Sequence, residues 1–247
     1  MVFEHPSSGE HEPNRHFADH PEAPSRLEAI DAALAAHDWL GWERRLAPPA
    51  TRAELGAVHA PALIDQVQRL AAAGGGEIDA DTFVGEASYR AALHAAGGAC
   101  AMVRALVDGE APAGFALLRP PGHHAGRERA MGFCLFNNVA VAAQVAVAEL
   151  GIGRVLIIDW DVHHGNGTAE IFRNRSDVLY VSIHRARFYP GTGELADAGA
   201  GEGLGYTINL PVDGGTDGGV WRSLLEHVAV PAARRFAPEL VLISAGF

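Results

Sequence analysis

The sequence predicts an α/β protein of three layers, α/β/α, built on a mainly parallel sheet. From residue 115 onward the chain contains five short apolar runs, at residues 115–118, 154–159, 178–183, 206–210 and 240–244. These runs are continuous rather than alternating, as expected for strands buried on both faces of a parallel sheet. Helical segments separate them, and this repeated strand-helix order predicts helices packed on the sheet.

The N-terminal part of the sequence is predicted to form mainly helices. The first 20 residues are polar and rich in His and Pro, so we expect an irregular arm with a strand no longer than residues 1–4. A helix should then begin at Ser25, because Ser25 and Glu28 have the spacing of a capping box, and run to about His37. Further helices are expected over 61–73, and over 88–107, where Gly97 and Gly98 weaken the middle.

The remaining elements complete the alternating pattern. Helices are expected over residues 138–150, 168–173 and 219–236, between or after the apolar runs. The chain contains no internal repeat and no linker long enough to separate two domains. We therefore expect residues 1–247 to belong to a single domain.

Composition excludes several classes of protein. With 247 residues, 48% of them hydrophobic and 20% charged, the chain has the composition of a globular domain. The net charge of −11 argues against direct, unspecific nucleic-acid binding. All 19 basic residues are Arg, which excludes Schiff-base lysine chemistry and the lysine of a phosphate-binding P-loop. Two cysteines are too few for a secreted disulfide framework, and no signal peptide or membrane span is evident, so we expect a cytoplasmic protein without membrane contact.

Polar residues collect at the ends of the predicted strands, where ligands bind in open α/β sheets. Asp159, Asp161 and His163 follow one strand, and in an extended segment residues two apart point the same way. Asp161 and His163 are ligand types that suit Zn²⁺, but two ligands do not make a site. The alternative is a strand end at which Asp and His cap backbone groups. Repetition of the pattern at neighbouring strand ends favours the metal site.

A tandem histidine pair follows the first predicted strand. His123 and His124 stand after Pro120, Pro121 and Gly122, which should hold the loop in a fixed, non-helical path. His is the side chain best suited to proton transfer near neutral pH, so His124 could act as a base while Asp159 orients His123. The alternative is a loop pair hydrogen-bonded to carbonyl groups.

Four blocks resemble the signature blocks of the histone deacetylase family, particularly its class II and bacterial members. They are RPPGHHAG, MGFCLFNN, IIDWDVHHGNGT and YVSIHRARFYPGTG, and the segments HPEAPSRL and DADTFVGEAS are also similar. The resemblance runs from about His20 to the last residue. It implies an arginase/deacetylase fold and zinc-dependent hydrolysis of acetylated amines.

The resemblance also implies roles for individual residues. Asp161 and His163 would be zinc ligands, and His123 and His124 would transfer protons. Asp159 would partner His123, and Asn166 stands where many members have a carboxylate that partners His124. Because Asn is uncharged, it should stabilise an imidazolium at His124 less than Asp would.

Substrate and potassium sites follow from the same resemblance. Gly132 and Phe133 are similar to residues that contact the acyl-lysine arm, and Tyr189 to the opposing aromatic wall, although each aromatic ring could simply pack in the core. A K⁺ ion is implied beneath the zinc, bound by Asp159, Asp161 and Ser182 with the carbonyl groups of residues 163 and 183. Asp79 and Asp81 could grip a substrate backbone or cap a turn.

The C-terminus departs from the family pattern. Members continue past the strand resembling LVLISAGF with an Asp that is the third zinc ligand, and later with a catalytic Tyr. We therefore expect a chain that lacks its last strand or strands, whose next residue in the intact protein is Asp, and whose residues 1–247 alone form no competent zinc site.

Three functions stay open at this point. The leading one is hydrolysis of acetyl-lysine in proteins or of small acetylated amines. The net negative charge of the chain suits a cationic substrate of this kind. The second is a catalytically impaired acyl-amine-binding module. The third, an arginase-like ureohydrolase, is disfavoured because those enzymes resemble D-A-H-x-D at this strand end, whereas His164, Gly165 and Asn166 follow His163 here.

Overall fold

The computed structural model describes residues 1–12 and 20–246. The chain forms two compact units, Met1–Val145 and Ala146–Phe247, and each is described by itself. Both contain parallel strands and helices, in agreement with the predicted α/β class. None of the described helices combines the length and apolar composition needed to cross a bilayer.

The first unit contains a three-stranded parallel sheet in the order β2–β1–β5 and an antiparallel pair, β3–β4. In chain order its elements are β1 (Val2–Glu4), α1 (Ser7–Glu10), α2 (Pro24–Ala35), β2 (Arg44–Leu46), α3 (Arg52–Gly56), α4 (Pro61–Ala72), β3 (Gly75–Glu77), β4 (Phe83–Gly85), α5 (Ser88–Val107), β5 (Phe115–Leu117) and α6 (Asn138–Ala148), within which the boundary of the units falls.

Two expectations about the N-terminal region are wrong. The strand expected within residues 1–4 is present as β1, which pairs with both β2 and β5, but residues 7–10 form helix α1 rather than part of an irregular arm. Residues 13–19 of that arm lie outside the described residues. Helix α2 begins at Pro24 and has no side-chain cap, so Ser25 and Glu28 form no capping box. A proline in the first helical position has the right φ and needs no hydrogen bond to its nitrogen.

Close packing of neighbouring segments against α5 explains why the helix contains Gly97 and Gly98. A Cβ atom at Gly97 would lie 2.2 Å from the carbonyl oxygen of Pro48, and one at Gly98 would lie 2.4 Å from Leu118 Cδ1. The glycines therefore allow the segment before α3 and the end of β5 to approach the helix closely.

The second unit contains a four-stranded parallel sheet in the order β8–β7–β6–β9. Its elements are β6 (Val155–Asp159), α7 (Asn166–Phe172), β7 (Val178–Arg185), β8 (Thr207–Val212), α8 (Gly218–Leu224), a π-helical turn (Leu225–Ala229), α9 (Val230–Phe236) and β9 (Leu240–Ser244). Leu156, Val181 and Ile183 belong to its buried core, against which α8, the π turn and α9 pack. This core fixes where β6 and β7 end, and the candidate residues follow those ends.

Candidate active site

The segment after β6 is bent rather than extended. Asp159 Oδ1 accepts the backbone N–H of Asp161 at 3.2 Å, and Asp161 Oδ1 accepts the backbone N–H of His163 at 2.7 Å. The expectation that these side chains line one side of an extended strand is therefore wrong, because β6 ends at Asp159 and short local hydrogen bonds replace the sheet. The backbone-capping role that the sequence left open is present.

Although the Asp161 carboxylate accepts a backbone N–H, the side chains of Asp161 and His163 are also in contact. Nδ1 of His163 lies 2.9 Å from Asp161 Oδ1, and the two side chains are 32% and 18% exposed. The backbone of Gly246 also lies against this carboxylate, because a Cβ atom there would be 1.6 Å from Asp161 Oδ2. One nitrogen and one carboxylate thus share a partly open position.

Two aromatic rings flank His163. The Phe188 ring stacks on it with centroids 5.1 Å apart, and the Tyr189 ring meets it edge-on at 6.0 Å. Phe188 is 38% exposed and Tyr189 is half-buried. Apolar walls therefore stand beside the Asp161–His163 pair, within the second unit.

Asp159 has a different environment, because it is completely buried. The hydroxyl group of Tyr180 lies 3.2 Å from both Asp159 Oδ2 and the carbonyl oxygen of Gly165. Burial, together with the charge of Asp159, raises the pKa of Tyr180, so this hydroxyl keeps its proton. Sequence reasoning missed Tyr180, although its position two residues before Ser182 on β7 places both on one face of the strand.

Ser182 and Asn166 occupy neighbouring places in the same unit. Ser182 is buried, stands opposite Asp159 in the β6–β7 register, and its hydroxyl lies 2.9 Å from His184 Nδ1. Asn166 is half-buried at the start of α7, and its backbone N–H donates to the carbonyl group of His164 at 2.9 Å.

His123 and His124 lie in the first unit, in the loop between β5 and α6. Their side chains are buried, and their ring centroids are 4.0 Å apart with planes inclined by 46°. The loop is held at Pro120, whose carbonyl group accepts from Asn138 Nδ2 at 3.0 Å. The structure therefore places the two rings side by side in a rigid, water-poor setting.

Gly132 and Phe133 have left-handed backbone conformations, with φ values of 58° and 68°. The backbone N–H of Phe133 donates to Thr82 Oγ1 at 3.1 Å, and the Phe133 ring meets His20 edge-on at 4.6 Å. His20 in turn lies 3.0 Å from the carbonyl oxygen of Asp81. Phe133 is thus in contact with a histidine that sequence reasoning quoted only as part of HPEAPSRL.

The two acidic residues of the DADTF segment behave as turn residues. Asp79 Oδ1 accepts the backbone N–H of Asp81 at 3.3 Å, and Asp79 lies 3.7 Å from the Arg129 guanidinium. Partial burial, with Asp79 adjacent, raises the pKa of Asp81. The turn-capping role is present, and a contact with substrate stays a prediction.

The donor set fits zinc in part. Carboxylate oxygen and imidazole nitrogen are common zinc ligands at about 2.0 to 2.2 Å, and catalytic sites generally have three protein ligands. Among residues 1–12 and 20–246, no group of three or more His, Cys, Asp or Glu side chains could hold a metal ion. Asp161 and His163 therefore provide two suitable donors.

Comparisons with known proteins agree on one family. A model of the histone deacetylase domain matches residues 20–247. Histone deacetylase 15 of Arabidopsis thaliana is 45% identical over 236 residues, which are 92% of this chain and 42% of that protein. A histone deacetylase-like amidohydrolase of Pseudomonas aeruginosa is 39% identical over 235 residues, covering 93% and 61% of the two chains.

A solved structure is also similar. The crystal structure of the HDA15 HD domain matches this chain with a TM-score of 0.97 and 43% identity, covering all of this chain and 71% of that one. This match confirms the predicted fold class. The chain spans about two fifths of the length of histone deacetylase 15 and about three fifths of the bacterial amidohydrolase.

Proposed function

Because this chain belongs to the histone deacetylase family, we propose that the protein hydrolyses acetylated amines with the help of zinc. The observation that carries the proposal is the meeting of Asp161 Oδ1 and His163 Nδ1 at 2.9 Å beside two aromatic rings. The names of two relatives, a histone deacetylase and a histone deacetylase-like amidohydrolase, favour the same reaction class.

Asp161 and His163 would hold the metal. A bound zinc ion would polarise the acetyl carbonyl group and make a water molecule more acidic. Since these are two donors where three are usual, we propose that the third ligand lies outside the described residues.

The buried histidine pair would move the protons. His124 would accept a proton from the water as its oxygen bonds to the acetyl carbon, and His123 would donate a hydrogen bond to the developing charge. The accepted proton would then be returned to the amine nitrogen as the C–N bond breaks. Asp159, buried and close to Tyr180, suits an orienting role toward His123. Asn166 stands in the partner position for His124.

Aromatic side chains would contact the acyl arm. We propose Phe133, with Gly132 beside it, from the first unit and Tyr189 from the second unit for this role. The net charge of −11 favours a cationic amine over an anionic substrate. A K⁺ ion at Asp159 and Ser182, which face each other across β6 and β7, would offset the charge of the buried carboxylate.

A binding module without catalysis is the second candidate. It is favoured by a single observation, that the described residues contain no group of three metal ligands. Such a protein would bind acyl amines through the same aromatic rings without hydrolysing them.

Paired substitutions in the intact protein test the proposal. His124→Ala should lower kcat for an acetyl-lysine peptide about 10² to 10⁴-fold and leave the zinc content unchanged, because it removes a base and no ligand. His163→Ala should remove the zinc. The control is His37→Ala, an exposed position at the end of α2. Equal zinc loss in the His124 and His163 variants would contradict the division into base and ligand, and zinc binding without turnover in the parent protein would favour the binding module.

A further inference from the structure

A buried ion pair joins two of the sequence blocks within the first unit. Arg119, the first residue of RPPGHHAG, donates from Nε and Nη2 to the two carboxylate oxygens of Glu22, each at 2.5 Å. The side chains are 6% and 0% exposed. Glu22 belongs to HPEAPSRL, 97 residues away in the chain.

The same guanidinium group also donates two hydrogen bonds to the backbone of residues 8–11. Nη1 donates to the carbonyl group of Ser8 at 2.5 Å and Nη2 to that of His11 at 2.9 Å. The Ser8 hydroxyl also accepts the Arg119 backbone N–H at 3.1 Å and donates to its carbonyl oxygen at 3.3 Å. Only the planar fork of an Arg side chain can make this set of directed bonds, so a Lys could not replace it.

Arg119 is rigidly connected to the histidine pair. Pro120 and Pro121 restrict the backbone torsions that follow it, so its orientation is passed along the loop. Gly122 comes next and is pressed against backbone, because a Cβ atom there would lie 2.7 Å from the carbonyl oxygen of Phe136. His123 and His124 follow directly. The hydrogen bonds of the Arg119 guanidinium group thus fix one end of a short, restricted segment. The other end of that segment carries the His123 and His124 rings.

We propose that Arg119 and Glu22 are positioning residues that hold the His123–His124 loop in its catalytic geometry. This inference rests on the proposed function for its kinetic consequence. Its structural part, that the ion pair sets the position of the loop, holds for any activity of the site.

A buried ion pair does not by itself imply a large contribution to stability. A positioning role of the Arg119–Glu22 pair and a stabilising role can therefore be measured separately. Removing one partner of a buried pair is strongly destabilising, whereas replacing both by apolar residues is often neutral. After removal of Arg119 the Glu22 carboxylate would keep only weaker contacts, with His11 Nε2 at 3.4 Å and Arg26 Nη1 at 4.0 Å among the described residues. A double variant can therefore recover stability without recovering the fork that orients the loop.

The experiment uses the intact protein and three variants, Arg119→Lys, Arg119→Met and Arg119→Met combined with Glu22→Leu. Turnover of an acetyl-lysine peptide, melting temperature and hydrogen exchange of amides 122–126 are measured for each. We expect Arg119→Met to melt several degrees lower and the double variant to melt near the parent. In the double variant and in Arg119→Lys, kcat should fall about 10²-fold, as for a displacement of about 1 Å, with KM within threefold of the parent. The matched control is Arg52→Lys, which changes the exposed pair with Asp65.

The outcomes separate the two proposals. Faster exchange of amides 122–126 in the thermally recovered double variant would support positioning even if the parent protein hydrolyses nothing, in which case only the proposed function fails. Recovery of both kcat and amide protection together with melting temperature would overturn the positioning role, because Arg119 would then act through stability alone.

Discussion

Substituting Gly122 by Ala should move the loop that carries His123 and His124. The added Cβ atom would lie 2.5 Å from the backbone nitrogen of Asn138, 2.7 Å from the carbonyl oxygen of Phe136 and 3.2 Å from the Cα atom of Asn137. All three atoms are backbone, so no side chain can turn away to make room. An ordinary contact begins at 3.4 Å, and the nearest atom is therefore about 0.9 Å too close.

This overlap sets the expected size of the effect. Overpacking of a well-packed interior typically costs about 1–3 kcal/mol, so the melting temperature should fall by several degrees. If the loop relieves the overlap by shifting, the histidine rings move by nearly 1 Å, and such a displacement can lower kcat about 10²-fold. Binding of the acyl arm should change less, since Phe133 is held separately by Thr82.

Kinetics and thermal melting of the intact protein measure the two effects. The control is Gly56→Ala at the end of α3, where nothing lies within 4 Å of the added atom and Ala favours the helix. An unchanged kcat and melting temperature in Gly122→Ala, alongside a functional control, would refute the reasoning, because the loop would then accept the methyl group without moving.

Three further predictions concern the metal and pH. The intact, zinc-loaded protein should be inhibited by a hydroxamate, since a bidentate chelator can occupy an open metal position; no effect at millimolar concentration would argue against the metal assignment. Residues 1–247 alone, purified and analysed for metal, should hold far less than one zinc ion per chain because the described residues supply two donors; near-stoichiometric zinc with normal turnover would contradict this. Burial lowers the pKa of His59 to about 4, opposed by its hydrogen bond to the carbonyl group of Gly126. The stability that neutral His59 contributes is therefore full above pH 6.5 and is lost as the pH falls toward 4. Urea unfolding of His59→Gln should show a stability difference between pH 7 and pH 5 smaller by about 2 kcal/mol, and an unchanged difference would count against this linkage.

The sequence predicted elements best where burial imposes a long pattern. The strand over 240–244 and the helix over 88–107 have the predicted bounds, because one is a continuous apolar run and the other has a long buried face. The run is not buried on both faces as expected, since Val241 and Ile243 are exposed. Strand β2 was missed since its three residues, RRL, are mostly exposed and carry no apolar pattern. Strands β3 and β4 were also missed, because three residues are too few to show a period, even though Phe83 and Val84 of β4 are buried.

Capping signals were less reliable than periodicity. Ser25 with Glu28 and Thr51 with Glu54 have the same spacing, yet only Thr51 and Glu54 form a capping box. What decides is which residue occupies the position just before the helix. Thr51 precedes α3 and its side chain accepts the Glu54 backbone N–H, whereas α2 begins at Pro24 after Ala23, so Ser25 lies inside the first turn and cannot cap it. Sequence spacing alone does not contain that information.

Long-range partners were beyond the sequence for a different reason. Nothing in RPPGHHAG or HPEAPSRL shows that Arg119 and Glu22 meet, because an ion pair has no sequence period. The short-range grouping at the end of β6 was predictable, since Asp159, Asp161 and His163 are two residues apart, but their backbone path was not. Beyond the end of β6, hydrogen bonds from backbone N–H groups to the Asp159 and Asp161 side chains determine the path of the chain.

The end of β6 separates its candidate residues by depth, and this depth supports different roles for them. Asp159 is fully buried, with the Asp161 backbone N–H at Oδ1 and the Tyr180 hydroxyl at Oδ2. A carboxylate already bonded on both oxygens in a dry setting suits orientation of a neighbour better than exchange with substrate. Asp161 and His163 come after the last sheet residue and keep 18% and 32% exposure, which the proposed zinc ligands would need if one coordination position is to stay open. One strand end could therefore supply both the proposed buried orienting group and the proposed, partly open metal donors.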